Sequence, residues 1–269
     1  MGEIMMGASR TLVLMYHQIE PSGVPDGWVP NALADARYGV GLSDFREQMD
    51  IIRDRKIPVV RLSDCLEGSA GSREPLSIVV TFDDGYASDL ELAAPILEKL
   101  GIPATFFLTT GHLDRPGMLT GNQARDLARF PHFELGSHGV THRFLSHLSP
   151  EDLLRELQDS FGTISELSGS KHVSLSAPGG RTSPLVARAV EEAGFRSLCT
   201  SRPGLFLDGG DRFSIPRLPI MKNPSISHFQ ALLDPNSLSF RLDSWVRSSK
   251  NLVRTALELP RTKTGRKER

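Results

Sequence analysis

Two adjacent carboxylates, Asp83 and Asp84, close the apolar run Ser77–Phe82 and are followed by Gly85. Along a strand, neighbouring side chains point to opposite faces, but at a strand end the chain can turn and bring both to one place. Two bare carboxylates that close repel unless a cation sits between them. One could ligate that cation while the other takes a proton. The run Phe133–Leu135 is followed by Gly136-Ser137-His138-Gly139-Val140-Thr141-His142. Histidines at i and i+4 lie on one side of a helical turn and can share a metal. His, His and Asp leave open positions for water and substrate, as a hydrolytic metal centre needs. Singly, each pattern also reads as ordinary surface: a solvated Asp-Asp-Gly turn and two exposed histidines. His17 follows the run Leu12–Tyr16, where a packed core histidine is the plainer reading. Pro178-Gly179-Gly180-Arg181 precedes a helical pattern and could present backbone N–H groups to an oxyanion, or be a simple left-handed turn.

These residues sit where strands end. Apolar runs at Leu12–Tyr16, Pro58–Val60, Ser77–Phe82, Ala104–Leu108, Phe133–Leu135, Val173–Ala177 and Phe195–Thr200 read as strands. Helical patterns lie between them. One opens at Ser43-Asp44, with Ser or Asp as cap. A second covers Ala87–Leu100, closed by Gly101. A third has Ser149 as N-cap and Pro150 at its first position, and a fourth covers Thr182–Ala193. Alternating strands and helices argue parallel βα units in a barrel-like α/β domain, whose chemistry gathers at the C-terminal ends of the strands. No linker divides the chain before residue 240, so 1–240 reads as one barrel and 241–269 as an appendage.

Thr81-Phe82-Asp83-Asp84-Gly85 reads as a TFDDG motif and Ser137–His142 as SHxxxH. With Met15-Tyr16-His17 and the 175–181 turn, the chain from about residue 10 to 235 resembles the polysaccharide deacetylases with a NodB-homology domain, carbohydrate esterase family 4. The resemblance implies a distorted (β/α)7-type barrel. It implies a metal-dependent hydrolase that removes acetyl from an N-acetylated saccharide, whether polysaccharide, oligosaccharide or lipid-linked precursor. It makes Asp84, His138 and His142 the ligands of a divalent metal, Zn²⁺ first, with Co²⁺ or Ni²⁺ also accepted. Asp83 becomes the general base. A backbone N–H of Gly179 or Gly180 joins the metal at the oxyanion, with Arg181 beside the substrate.

Two departures stand out. Where many members carry Arg-x-Pro-Tyr, with the Arg orienting the catalytic Asp, this chain has Ser176-Ala177-Pro178-Gly179. Arg181 or Arg217 is left to substitute. The usual C-terminal apolar strand ending in Leu-x-His is not evident, and His228 falls in a helical pattern with Phe229, Leu232 and Leu233. Leu12–His17 has that form instead, as in some biofilm poly-N-acetylglucosamine deacetylases. The expectation is a circularly permuted barrel with His17 as the general acid. Two alternatives remain: a deacylase acting on O-acetyl groups or another small amide, and a catalytically silent carbohydrate-binding barrel.

The composition is that of a globular protein, 39% hydrophobic and 23% charged, and a net charge of −1 gives no general argument for nucleic acid. The balance is uneven: residues 241–269 hold nine Lys/Arg and three Asp/Glu, leaving 22 basic and 29 acidic groups elsewhere. Leu242, Trp245, Val246, Leu252, Val253, Ala256 and Leu257 recur at helical spacing before Pro260. This predicts a basic amphipathic helix and tail, packed on the barrel or touching an anionic membrane. Cys65 and Cys199 are too few for a disulfide framework, and the N-terminal stretch is a poor secretory signal. A cytoplasmic protein, membrane-associated if the tail binds lipid, is the expectation.

Overall fold

The computed structural model describes residues 10–23, 35–68, 76–222, 225–238 and 240. The chain runs through β1 (Arg10–Tyr16), β2 (Ile19–Glu20), β3 (Val40–Gly41), α1 (Leu42–Asp54), α2 (Leu62–Leu66), β4 (Leu76–Asp84), α3 (Ala94–Leu100), β5 (Ala104–Leu108), α4 (Gly121–Ala128), β6 (Phe133–Ser137), α5 (Pro150–Ser168), β7 (Leu175–Ser176), α6 (Pro184–Glu192), β8 (Leu198–Cys199), β9 (Phe206–Leu207), β10 (Leu218–Pro219) and α7 (Ile226–Leu232). The eight-stranded sheet has the order β10-β1-β4-β5-β6-β7-β8, with β9 antiparallel to β1 and off this path. Its other pairings are parallel, so the expected α/β architecture stands.

The two ends of the sheet approach each other across residues 215–220. Ile215 bridges Cys199, and Leu218–Pro219 pairs with Leu14–Met15. The Thr200 N–H donates to the Ile215 carbonyl at 2.8 Å and the Ile220 N–H to the Met15 carbonyl at 2.9 Å. This segment escaped the sequence pattern because Pro216, Arg217 and Pro219 break its apolar run. Pro58–Val60, by contrast, is not a strand. It supplies one bridge, Val59 to Ile78, because β5 takes that edge of β4 from Val80 onward.

Strand alternation sorts the residues into two faces. Leu12, Leu14 and Tyr16 of β1, Ile78, Val80 and Phe82 of β4, and Phe106 of β5 share a large core with the helices. Phe82 stacks between Tyr16 and Phe106 at ring separations of 5.5 and 4.9 Å, and Phe133 meets Phe106 edge-on at 5.3 Å. One residue out of phase, Val13, Val79 and Phe107 join Cys199 and Ile215 in a second cluster on the inner face. The same parity carries Met15 and His17 of one strand, and Thr81 and Asp83 of the next, to that inner face.

Several helix ends differ from expectation. α1 is capped by Gly41 without a side-chain bond, so Ser43 and Asp44 lie inside its first turn. The second helical pattern begins with a π-helical turn, Asp89–Ala93, before α3 and its Gly101 cap. α4 was not anticipated, although Thr120 and Gln123 form a capping box. Ser149 caps α5 and α7 carries His228, both as expected. Both cysteines are free and buried, and burial pushes the Cys199 thiol up to about 12. Among the described residues no helix is long and apolar enough to cross a membrane. The helix and tail expected in 241–269 lie outside the described residues.

Phe106→Ala removes the ring that lies between Phe82 and Phe133 on the helix side. It should cost about 3–5 kcal/mol in urea unfolding at unchanged slope.

Candidate active site

Asp84 ends β4 with φ of 83°, a region a non-glycine residue seldom occupies. That turn lets it depart from strand alternation, so Asp83 and Asp84 both serve one end of the sheet. His138 follows β6, and His142 has φ of 60°. The loop between them is irregular, not the helical turn that the i, i+4 spacing predicted. Its shape comes from Glu156 of α5, buried and missed in the sequence. Glu156 Oε1 accepts from the Val140 N–H at 2.8 Å, the Thr141 N–H at 2.6 Å and the Thr141 hydroxyl at 3.0 Å.

The loop and the strand end bring three ligand atoms together. His138 Nε2 lies 3.4 Å and His142 Nε2 3.2 Å from Asp84 Oδ1. One atom from each residue falls within 4.8 Å of the others. His138 Nδ1 is 2.9 Å from the Ser176 carbonyl oxygen, which can only accept. Nδ1 therefore carries the proton and Nε2 presents its lone pair. The Tyr86 hydroxyl donates to Asp84 Oδ2 at 2.9 Å, while Asp84 Oδ1 is buried without a hydrogen-bond partner. An orphaned carboxylate oxygen facing two imidazole nitrogens is resolved by a cation. The residues fit a divalent metal, and the N, N, O donor set suits Zn²⁺, Co²⁺ or Ni²⁺.

Burial would raise the Asp84 carboxyl, but His142, His17 and His138 outweigh it and hold it well below the usual range. Burial pushes His138 down to about 4, so its imidazole is neutral, as a ligand must be. The Asp84 carboxylate, 3.2 Å from the His142 Nε2, raises His142. Asp89, fully buried in the π-helical turn, is pushed well up by burial and then by Asp84 and Asp83. Its place on the apolar side of a helical pattern was a legible signal that went unread.

Asp83 is buried on the inner face. Arg217, also fully buried, donates Nη1 to Asp83 Oδ1 and Nη2 to Oδ2, both at 2.7 Å. The Ser176 hydroxyl donates to Asp83 Oδ2 at 3.0 Å. Burial acts to raise this carboxyl, yet the Arg217 charge and then His138 bring it below the usual range. His17 stands one residue beyond the last β1–β4 pair, Tyr16 with Phe82, which sets it level with Asp83. Its ring stacks on Tyr38 at 4.4 Å, and its Nδ1 is buried with no partner among the described residues.

The 178–180 turn corrects one expectation. The Gly180 N–H donates back to the Ala177 carbonyl at 2.7 Å, so it is not free for an oxyanion. Gly179, with φ of 64°, is the remaining candidate donor there. A Cβ at 179 would stand 2.5 Å from Phe144 Cε1. The Arg181 guanidinium lies 4.1 Å over the same Phe144 ring instead of reaching Asp83.

The family model described as polysaccharide deacetylase matches residues 70–198. The resemblance to that family thus holds over residues 70–198. YxkH of Bacillus subtilis, whose name places it in that family, is 27% identical over 157 residues, 58% of this chain and 56% of its own length. The poly-β-1,6-N-acetyl-D-glucosamine N-deacetylase of Staphylococcus aureus is 25% identical over 165 residues, with the same shares. The chain thus spans about half the length of the curated relatives it matches. In fold it is similar to the deacetylase PplD of Streptococcus pyogenes, with a TM-score of 0.73 at 21% identity, covering 85% of this chain and 100% of that one. It is also similar to a polysaccharide deacetylase from Bacillus cereus, with a TM-score of 0.71 at 20% identity, covering 84% and 70%.

The departures from the family pattern are resolved in space. The arginine missing at Ser176 arrives from a neighbouring strand segment as Arg217, and Ser176 itself donates to the Asp that such an arginine would hold. The space above Gly179, where the resemblance leads one to expect Tyr, is filled by Phe144 from the His142 loop. β1, which lies before the matched residues, is the sheet neighbour of β4 and is followed directly by His17.

Arg217→Met strands a buried carboxylate and should cost about 3–5 kcal/mol of unfolding free energy. Adding Asp83→Asn to it removes the stranded charge, so the double variant should be more stable than Arg217→Met alone in urea titrations.

Proposed function

We propose that this chain is a metal-dependent hydrolase that removes acetyl groups from an N-acetylated saccharide. The observation that carries this reading is the convergence of Asp84, His138 and His142 on one point beside an Asp83 fixed by Arg217. The family match supports acetyl as the group removed. The name of the Staphylococcus aureus relative supports a polymer of N-acetylglucosamine. The silent-barrel alternative drew on the arginine absent at position 176, and Arg217 answers that absence.

A divalent ion held by Asp84, His138 and His142 would supply a Lewis acid that activates water near neutral pH and polarises the acetyl carbonyl. Asp83, ionised across the neutral range, takes the proton of the attacking water. Arg217 and Ser176 hold its carboxylate in one orientation, so it needs no rearrangement in the transition state. The Gly179 N–H donates to the developing oxyanion. His17, level with Asp83, gives a proton to the amide nitrogen as the C–N bond breaks, releasing the amine and acetate. Tyr86 fixes the second oxygen of Asp84 and thereby the direction of the first.

Acetate release from N-acetylglucosamine oligomers, with an O-acetylated ester in parallel, tests the reading. Activity should vanish on dialysis against a chelator and return with Zn²⁺, Co²⁺ or Ni²⁺. His17→Ala should retain metal by elemental analysis and lose about 10²-fold in turnover. Unchanged turnover would remove His17 from the reaction, and a protein that binds no divalent metal would overturn the proposal. Faster cleavage of the ester than of the amide would move the substrate to O-acetyl groups.

A further inference from the structure

Three loops beside the metal ligands together hold more basic than acidic residues. Residues 138–149 contain Arg143 and no Asp or Glu, and residues 177–183 contain Arg181 and no Asp or Glu. Residues 109–120 contain Arg115 and a single acid, Asp114, whose Oδ1 is engaged by the Gly121 N–H at 3.1 Å. This is not general basicity, because the chain outside 241–269 has more acidic than basic groups. Arg115 and Arg143 are exposed, and among the described residues neither guanidinium has an ion-pair or hydrogen-bond partner.

These loops are locked to each other at the metal site. The Thr110 N–H donates to the Gly139 carbonyl at 2.9 Å and the Gly111 N–H to the Val140 carbonyl at 3.0 Å. A Cβ at Gly111 would stand 2.5 Å from the Val140 oxygen, so only glycine permits this approach. The docking brings the His112 ring to 6.3 Å from that of His142, although His112 had no partner pattern in the sequence. Arg115 lies three residues beyond His112, its N–H bonded to the His112 carbonyl at 3.2 Å, and Arg143 directly follows His142. Arg181 lies on Phe144, the next residue along.

We infer that the saccharide bears an anionic group, phosphate or carboxylate, near the acetylated sugar, and that Arg115 and Arg143 receive it with His112 donating beside them. Planar guanidinium forks match phosphate and carboxylate oxygens, which a neutral sugar lacks. Arg115 and Arg143 sit on two loops joined by backbone hydrogen bonds, and an anion received by both would offset their mutual repulsion. A cationic rim also concentrates anionic substrate at the mouth in a salt-dependent way. This inference rests on the reading of Asp84, His138 and His142 as the acetyl-hydrolysing centre.

The test compares three N-acetylglucosamine tetramers: neutral, with a reducing-end phosphate, and with a reducing-end carboxylate. Binding is read by calorimetry and hydrolysis by acetate release, for the metal-loaded full chain, Arg115→Gln and Arg143→Gln. The anionic tetramers should bind and react about 10-fold better than the neutral one at low salt, a preference that shrinks at high salt. Each substitution should raise KM for the anionic tetramers about 5-fold, leaving kcat and the neutral tetramer unchanged. Whichever anionic arm leads identifies the group. Equal handling of all three tetramers, or substitutions that affect neutral and anionic alike, would overturn the inference while leaving the hydrolase standing. Selective binding of anionic tetramers without acetate release would uphold it and overturn the hydrolase.

Discussion

The buried pair between Asp83 and Arg217 is the interaction on which the rest of this structure depends. Two charges withdrawn from water are costly, and the cost is offset only when every donor and acceptor is matched. Here the Arg217 guanidinium reaches both oxygens of Asp83, the Ser176 hydroxyl, the Thr81 hydroxyl and the Thr200 carbonyl. Beneath it lies the Phe107 ring, 5.5 Å from the guanidinium carbon. Arg217 belongs to the segment that joins the two ends of the sheet, and Asp83 to β4, an interior strand of it. One ion pair therefore ties the closure of the fold to the orientation of the carboxylate best placed to accept a proton.

With Asp83 committed to the interior, alternation would send Asp84 to the helix side, into an apolar core. The positive φ at Asp84 avoids that and delivers its carboxylate to the two imidazoles. His142 needs a second uncommon backbone conformation to meet it. Such local strain persists where surroundings over-determine it. The surroundings are identifiable: Glu156 pins the backbone of the His142 loop, the Ser176 carbonyl sets the His138 tautomer, and Tyr86 holds the outer oxygen of Asp84. The site is thus built by groups on β4, β6, β7, α5 and the segment after β8, no two of them neighbours in the same turn of chain. Electrostatics follow from this packing. Two carboxylates stay ionised though buried because cationic or imidazole partners face them, while His138 stays neutral because burial outweighs those same carboxylates.

Much of this was legible in the sequence. Apolar runs ending in Asp83-Asp84, in His138 and in His17 announced strands with chemistry at their ends, because burial on both faces and polar termini leave a one-dimensional trace. Ser149-Pro150 and Gly101 marked helix ends for the same local reason. Long-range pairing left no such trace. The segment 215–220, which includes β10, holds two prolines and an arginine, so its membership of the sheet comes from the edges of β1 and β8 and not from its own propensity. Pro58–Val60 looked more like a strand and lacks only a free partner edge. The helical turn predicted for His138–His142 yielded to Glu156, sixteen residues downstream of Val140.

What the sequence determined by itself was the set of reactive groups and their order at the strand ends, since residue type and alternation are local properties. Only the tertiary structure decided which arginine serves Asp83, which glycine keeps a free N–H, and which backbone carries His142. Each of those choices is a competition between side chains and backbone groups brought together from distant parts of the chain. Burial settles it: inside the fold an unpaired charge or N–H costs more than bending the chain that supplies its partner.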